Sequence, residues 1–277
     1  MRIADEIIKS VGFVSFDTDP LCYAGTAFVV QVPFEDSSGC LHLVTAKHVA
    51  DAVGSDFVIG FNGKDGKPLF AKNGGVPWYF HPEEPDSVDV AVIPFASSRI
   101  RDYDISPIPV QIFADEKRIK EYDIGLGDEL FSVGLFTRYF GLTTLIPIVR
   151  TGNIAMIPKE RVPLGRFGLA DAYLAEGRSI GGLSGSPVFC RNTLKMPGIN
   201  EQGQVKHVAG AGQIHLLGLM HGHWDLPVDF SESDKSEAVN MGVSIVIPAK
   251  KILEVLYSPN LVRTRDEAFQ RSAPDSQ

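Results

Sequence analysis

Short apolar runs set between turn residues constrain this chain more than any other feature. "VGFVSF", "GTAFVVQV", "LHLVTAKHV", "DFVIGF", "VDVAVIPF", "ELFSVGLF", "TTLIPIV", "SPVF", "IHLLGLM" and "MGVSIVIP" are rich in Val, Ile and Phe, and clusters of Gly, Pro, Asn or Asp separate many of them. Such side chains pack well on a pleated, half-buried surface, so the runs read as strands. They are not interleaved with helical patterns, which excludes βαβ units and leaves an all-β sandwich or barrel. The 18 prolines and 27 glycines supply the turns between them. "FNGKDGKPLF" is expected to be a hairpin, with Gly where φ must be positive.

Three segments break the pattern. Residues 114–124, "ADEKRIKEYDI", are dense in charge and read either as a connection between two halves or as a short exposed helix. Residues 191–214 are polar and Gly-containing, and are expected to form a long surface hairpin or loop. "PAKKILEVLYS", 248–258, opens on Pro and spaces Ile252, Leu253, Val255 and Leu256 onto one face, which predicts a C-terminal helix packed on the body. From Arg263 onward the charged, Pro- and Ser-containing tail is expected to be loosely ordered.

Charge and cysteine content narrow the function classes. A net charge of −8 without a basic stripe excludes a nucleic-acid surface, which needs clustered Lys and Arg. Hydrophobic residues make up 44% and charged residues 22%, the composition of a globular chain with a real core. The three cysteines, Cys22, Cys40 and Cys190, show no paired spacing, so no disulfide framework is expected and a reducing, cytoplasmic compartment is preferred. Asp5, Glu6 and Lys9 interrupt any apolar region at the N-terminus, so no signal peptide is read there. No apolar run approaches the ~18 residues that span a bilayer, so no membrane contact is expected.

Three residues then stand out chemically. Ser184 lies in "GGLSGSPVF" between Gly182 and Gly185, which suits either a tight turn or an exposed nucleophile. A serine hydroxyl needs a base to activate it, and that base needs an orienting group. His48, in "LVTAKHVA", would project from a strand-to-helix corner. Asp89, in "SVDVAVIPF", would be costly to bury unless paired. The amides of Gly182 and Ser184 could converge on an oxyanion. The order His, Asp, Ser differs from that of subtilisin-type and α/β-hydrolase triads. The hydrolase pattern G-x-S-x-G also fails, because position 186 is Ser and Pro187 follows.

"TAKHV", "VDVAVI" and "GGLSGSPVF" resemble the three catalytic blocks of trypsin-like serine peptidases, in particular the bacterial branch of glutamyl endopeptidases and HtrA-type proteases. "GTAFVV", "LGDELFSVGLF", "HLLGLMHG" and "MGVSIVIPAKKILEVL" extend the resemblance across roughly residues 10 to 257. It implies a chymotrypsin-like double six-stranded antiparallel β-barrel with a C-terminal helix. Residues 1–120 would form the barrel carrying His48 and Asp89, residues 121–262 the barrel carrying Ser184 plus the helix, and 263–277 a flexible tail. His48 would be the general base, Asp89 its orienting acid and Ser184 the nucleophile, with Gly182 and Ser184 forming the oxyanion hole.

Leu183 stands where digestive relatives carry the Asp used in zymogen activation, so that switch cannot operate. Val49 stands where they carry a disulfide-forming Cys. Arg178, His221, Gly222 and His223 are expected around the substrate pocket, where Arg and His would favour an acidic side chain. "HGH" lacks a third spaced ligand, so neither metal nor cofactor is expected. The expected partners are a peptide or protein substrate and a possible regulatory protein. The competing expectation is a protease-like binding module or effector that does not turn over, or does so only with a partner.

Overall fold

A computed structural model describes residues 2–33, 39–97, 99–177, 181–191, 198–199, 205–206, 212–228 and 237–272. Strands β1 (Val11–Phe16), β2 (Cys22–Pro33), β3 (Gly39–Thr45), β4 (Phe57–Asn62), β5 (Pro68–Lys72), β6 (Tyr79–Phe80), β7 (Ala91–Pro94) and β8 (Ile108–Pro109) make one sheet. Its order is β5-β4-β1-β2-β3-β7-β6, and β8 runs parallel to β2. The hairpin foreseen around residue 65 joins β4 to β5, with Gly66 at φ 79°.

The second half is a closed barrel. Strands β9 (Glu129–Gly134), β10 (Ile148–Met156), β13 (Tyr173–Glu176), β14 (Pro187–Arg191), β17 (Ile214–Val228) and β18 (Glu237–Pro248) close in the order β10-β13-β18-β17-β14-β9. Two short ribbons stand apart, β11 (Val162–Pro163) with β12 (Leu169–Ala170) and β15 (Gly198–Ile199) with β16 (Val205–Lys206). Apart from that last ribbon and its ends, the hairpin expected over 191–214 lies outside the described residues.

Of the double barrel expected from the sequence, the second half closes with six strands, while the first half is this eight-stranded sheet. Among the described residues no pairing joins β5 to β6. Closure needs backbone partners along both edges, and β6 offers only two residues. The charge-dense interval 114–124 is the short helix α3 (Glu116–Tyr122), capped by the Asp115 carboxylate, which accepts from Arg118 N.

The C-terminal helix is α4 (Ala249–Leu256), which buries Ile252, Val255 and Leu256. The loose tail expected from Arg263 is also corrected, because helix α5 spans Pro259–Ser272. Leu261 is fully buried, and Arg265 reaches the Leu256 carbonyl at 2.5 Å. One helical turn separates these two residues, so a single covered face lies within a stretch whose composition is polar. Helices α1 (Asp5–Ile8) and α2 (Lys47–Val53) complete the described set, and none of the helices is long and apolar enough to cross a membrane.

One apolar cluster runs through both halves. It joins Phe13, Phe28 and Val44 of the first sheet to Phe131, Phe189 and Leu216 of the barrel. Phe131 and Phe189 face each other across β9 and β14 and stack at 5.1 Å. Full burial of each such ring is worth about 1.5–3 kcal/mol, so the cleft between the halves rests on a shared core.

Candidate active site

Strand register brings His48 and Asp89 together. Strands β3 and β7 pair with Thr45 opposite Ala91. The chain leaves β3 through Ala46 into α2, so His48 sits in the first helical turn, while Asp89 lies two residues before β7. The first N–H groups of a helix have no partner within it. Asp89 supplies one from outside: its Oδ1 accepts His48 N at 2.8 Å, and its Oδ2 accepts His48 Nδ1 at 2.8 Å. One carboxylate thus fixes both the backbone and the ring of His48. Because a carboxylate only accepts, Nδ1 carries the ring proton and Nε2 keeps its lone pair.

Asp89 is fully buried. Burial alone would raise its pKa, but the hydrogen bonds and charges of His221 and His48 outweigh it and hold the carboxyl well below the usual range. His221 had been expected on the wall of a substrate pocket. Its ring instead turns inward, with Nδ1 2.5 Å from Asp89 Oδ2. The cause is a β-bulge in β17. Met220 pairs with Val246 and Gly222 with Ile245, which leaves His221 as the extra residue whose side chain is re-aimed. The His48 and His221 rings lie 5.5 Å apart and both stand edge-on to Phe167, at 6.3 and 5.4 Å.

Ser184 enters from the other half, on the loop before β14. Gly182 has φ 97° and Gly185 φ 83°, conformations that glycine adopts without strain. A Cβ on Gly185 would also stand 2.2 Å from the Thr26 carbonyl. Thr26 of β2 clamps the loop: its amide donates to Ser184 O at 2.9 Å, its hydroxyl donates to Gly182 O at 2.7 Å and accepts from Leu135 N at 2.9 Å. Among the described residues, the Gly182 and Ser184 amides donate to no other group, which leaves both available to an oxyanion. Ser184 Oγ itself donates to the His221 carbonyl at 3.1 Å and makes no hydrogen bond to His48.

Of the remaining expected residues, Arg178 lies outside the described residues. Gly222 faces open space, and His223 pairs with Ser244 across β17 and β18. Leu183 is buried in the barrel core beside Leu217 and Val246. A cavity of about 930 Å³ between β9, β10, β13 and β18 has Glu129 and Glu176 in its wall but none of His48, Asp89 or Ser184.

The trio His48, Asp89 and His221 brings ligand-type atoms within 4.8 Å of one another. Ligands about 2.0–2.1 Å from a tetrahedral zinc would stand roughly 3.3 Å apart. The N···O separations of 2.8 and 2.5 Å fit shared protons instead.

No protein-family model and no curated protein sequence matches the chain. Solved structures do. The MamO protease domain of Magnetospirillum magneticum, in its apo form, superposes with a TM-score of 0.53 at 11% identity, covering 91% of this chain and 98% of that one. The fold is that of HtrA-type serine protease domains. Deg5 gives a TM-score of 0.50 at 13% identity over 90% of this chain and 88% of its own. The HtrA-type protease AlgW, solved with a decapeptide, gives 0.51 at 14% identity, covering 94% of this chain and 73% of that one. Thr26, which holds the Ser184 loop, and the ring of His221, which reaches Asp89, are contacts that sequence reasoning missed. Thr26 in "GTAFVV" carries no chemical signal, and the bulge that turns His221 depends on partner strands.

Proposed function

We propose that the chain is a serine endopeptidase acting through an acyl-enzyme on Ser184. The observation that carries this reading is the His48–Asp89 pair, held by two 2.8 Å hydrogen bonds and linked through His221 to a serine on a glycine-bounded loop. Ser184 Oγ would attack the peptide carbonyl carbon as its proton passes to His48 Nε2. The amides of Gly182 and Ser184 would receive the oxyanion, and loss of one such donor typically costs about 2.7–4 kcal/mol of barrier. His48 would return the proton to the leaving nitrogen as the C–N bond breaks. Water, deprotonated by His48, would then release the acyl group and restore Ser184.

The neighbour solved with a decapeptide supports a peptide substrate. His221 is engaged with Asp89, so an acidic preference at the cleaved bond would rest on Arg178 and His223, against the alternative of a pocket for small apolar side chains. The three free thiols support a reducing, cytoplasmic compartment.

A second reading, a protease-like module that needs a partner or does not turn over, is favoured by one observation: Ser184 Oγ donates to the His221 carbonyl and not to His48. A rotation about the Ser184 side chain is needed before proton transfer. A fluorophosphonate probe separates the two readings. It should label the wild type and leave Ser184→Ala unlabelled, while an unlabelled wild type would overturn the peptidase assignment.

A further inference from the structure

From the shared carboxylate we infer that His221 is a positioning residue of the same site, a second imidazole that donates its Nδ1–H to the Asp89 oxygen that also accepts from His48. The inference rests on the peptidase reading for its kinetic consequences, but its geometry stands apart from that reading. Asp89 Oδ2 accepts from both rings, at 2.8 Å from His48 and 2.5 Å from His221. Since Asp89 is held as a carboxylate that can only accept, both Nδ1 atoms carry protons and both Nε2 atoms are bases. Two bases on one fully buried anion, with ring centres 5.5 Å apart, cannot both become imidazolium without like-charge repulsion.

The groups against the His221 ring are Asp89 beside β7, His48 on α2 and the Phe167 ring, over which the Arg166 guanidinium lies at 5.1 Å. A proton on His221 would take up the Asp89 charge that His48 needs when it becomes imidazolium during catalysis. The competent form is thus the one in which both rings are neutral. In that form His221 helps immobilise the same carboxylate oxygen that accepts from His48. The carbonyl of the same residue holds Ser184 Oγ at 3.1 Å, so one bulged position touches both the acid and the nucleophile.

Two measurements test this. In the first, the rate of fluorophosphonate labelling is compared at neutral pH. His221→Asn, which keeps an amide donor for Asp89, should lose no more than about 10-fold in rate. His221→Ala should lose about 10- to 100-fold, with Asn restoring most of it. Asn performing no better than Ala would overturn the proposal.

The second measurement needs no activity. Proton NMR of the Ser184→Ala protein should show two strongly deshielded ring N–H signals, one lost on His48→Ala and the other on His221→Asn. One signal, unaffected by His221→Asn, would overturn the proposal. Two signals in a protein whose wild type takes no probe would support the shared carboxylate while overturning the peptidase reading.

Discussion

The hydroxyl of Thr26 donates to the carbonyl of Gly182 at 2.7 Å, joining the first sheet to the loop that presents Ser184, 156 residues away in the chain. The same oxygen accepts from Leu135 N, so one buried side chain satisfies the loop and the exit of β9 together.

Thr26→Val keeps the shape but removes both bonds. A buried polar group left unpaired costs about 1–3 kcal/mol, and here a carbonyl and an amide are both orphaned. The variant is expected to lose about 2–4 kcal/mol in chemical denaturation and at least 10-fold in probe labelling, because the Gly182 amide is no longer held. Wild-type labelling with unchanged stability would exclude Thr26 as the clamp.

Asp89 links activity to acid stability. Its folded pKa is depressed, so its contribution is fully present above the unfolded value of about 3.9 and is lost as pH falls through the lower folded value. Denaturation midpoints of the wild type should therefore fall below about pH 4 more steeply than those of Asp89→Asn. At neutral pH, Asp89→Asn is expected to cut labelling by about 10⁴-fold, because an amide no longer selects the Nδ1–H tautomer of His48.

His42 makes a separate pH prediction. It is fully buried on β3, and neither ring nitrogen has a partner among the described residues. Burial, aided by the nearby Arg265 charge, pushes its pKa down to about 4. The unfolded chain binds the proton near the ordinary value of about 6.5, so stability should fall as pH drops from about 6.5 to 4, by up to about 1.4 kcal/mol per pH unit. His42→Leu should flatten that part of the profile and equal or exceed wild-type stability at pH 7, since it replaces unsatisfied polar atoms with apolar ones. An unchanged slope between pH 6.5 and 4 would contradict the assignment.

Helix α5 is expected to belong to the folding unit. Leu261 is fully buried, and Leu→Ala at such sites costs about 2–5 kcal/mol. Thermal unfolding of Leu261→Ala should show a correspondingly lowered midpoint in a single transition. A midpoint equal to the wild type would mean that the helix contributes nothing to the core.

Local chemistry was legible in the sequence wherever it depended on neighbours along the chain. Val-, Ile- and Phe-rich runs announced the strands, Gly66 the hairpin, and the spacing of Ile252, Val255 and Leu256 the helix α4. The polarity of 263–272 hid α5, whose buried positions among the described side chains are Leu261 and Arg265. That no pairing joins β5 to β6 among the described residues goes with a β6 of only two residues, Tyr79–Phe80, which lies outside every apolar run of the sequence.

His48, Asp89 and Ser184 could be singled out from the sequence because an acid within an apolar run is costly to bury unless paired, and because the histidine and the glycine-flanked serine lie in blocks that resemble those of trypsin-like peptidases. Tertiary structure alone decided their partners. The register of β3 on β7 sets Asp89 under His48, the reach of Thr26 across the halves holds the Ser184 loop, and one extra residue in β17 turns His221 onto Asp89. The physical reason is range: composition and spacing act over a few residues, whereas a carboxylate shared by two imidazoles is made by strands paired far apart in the chain.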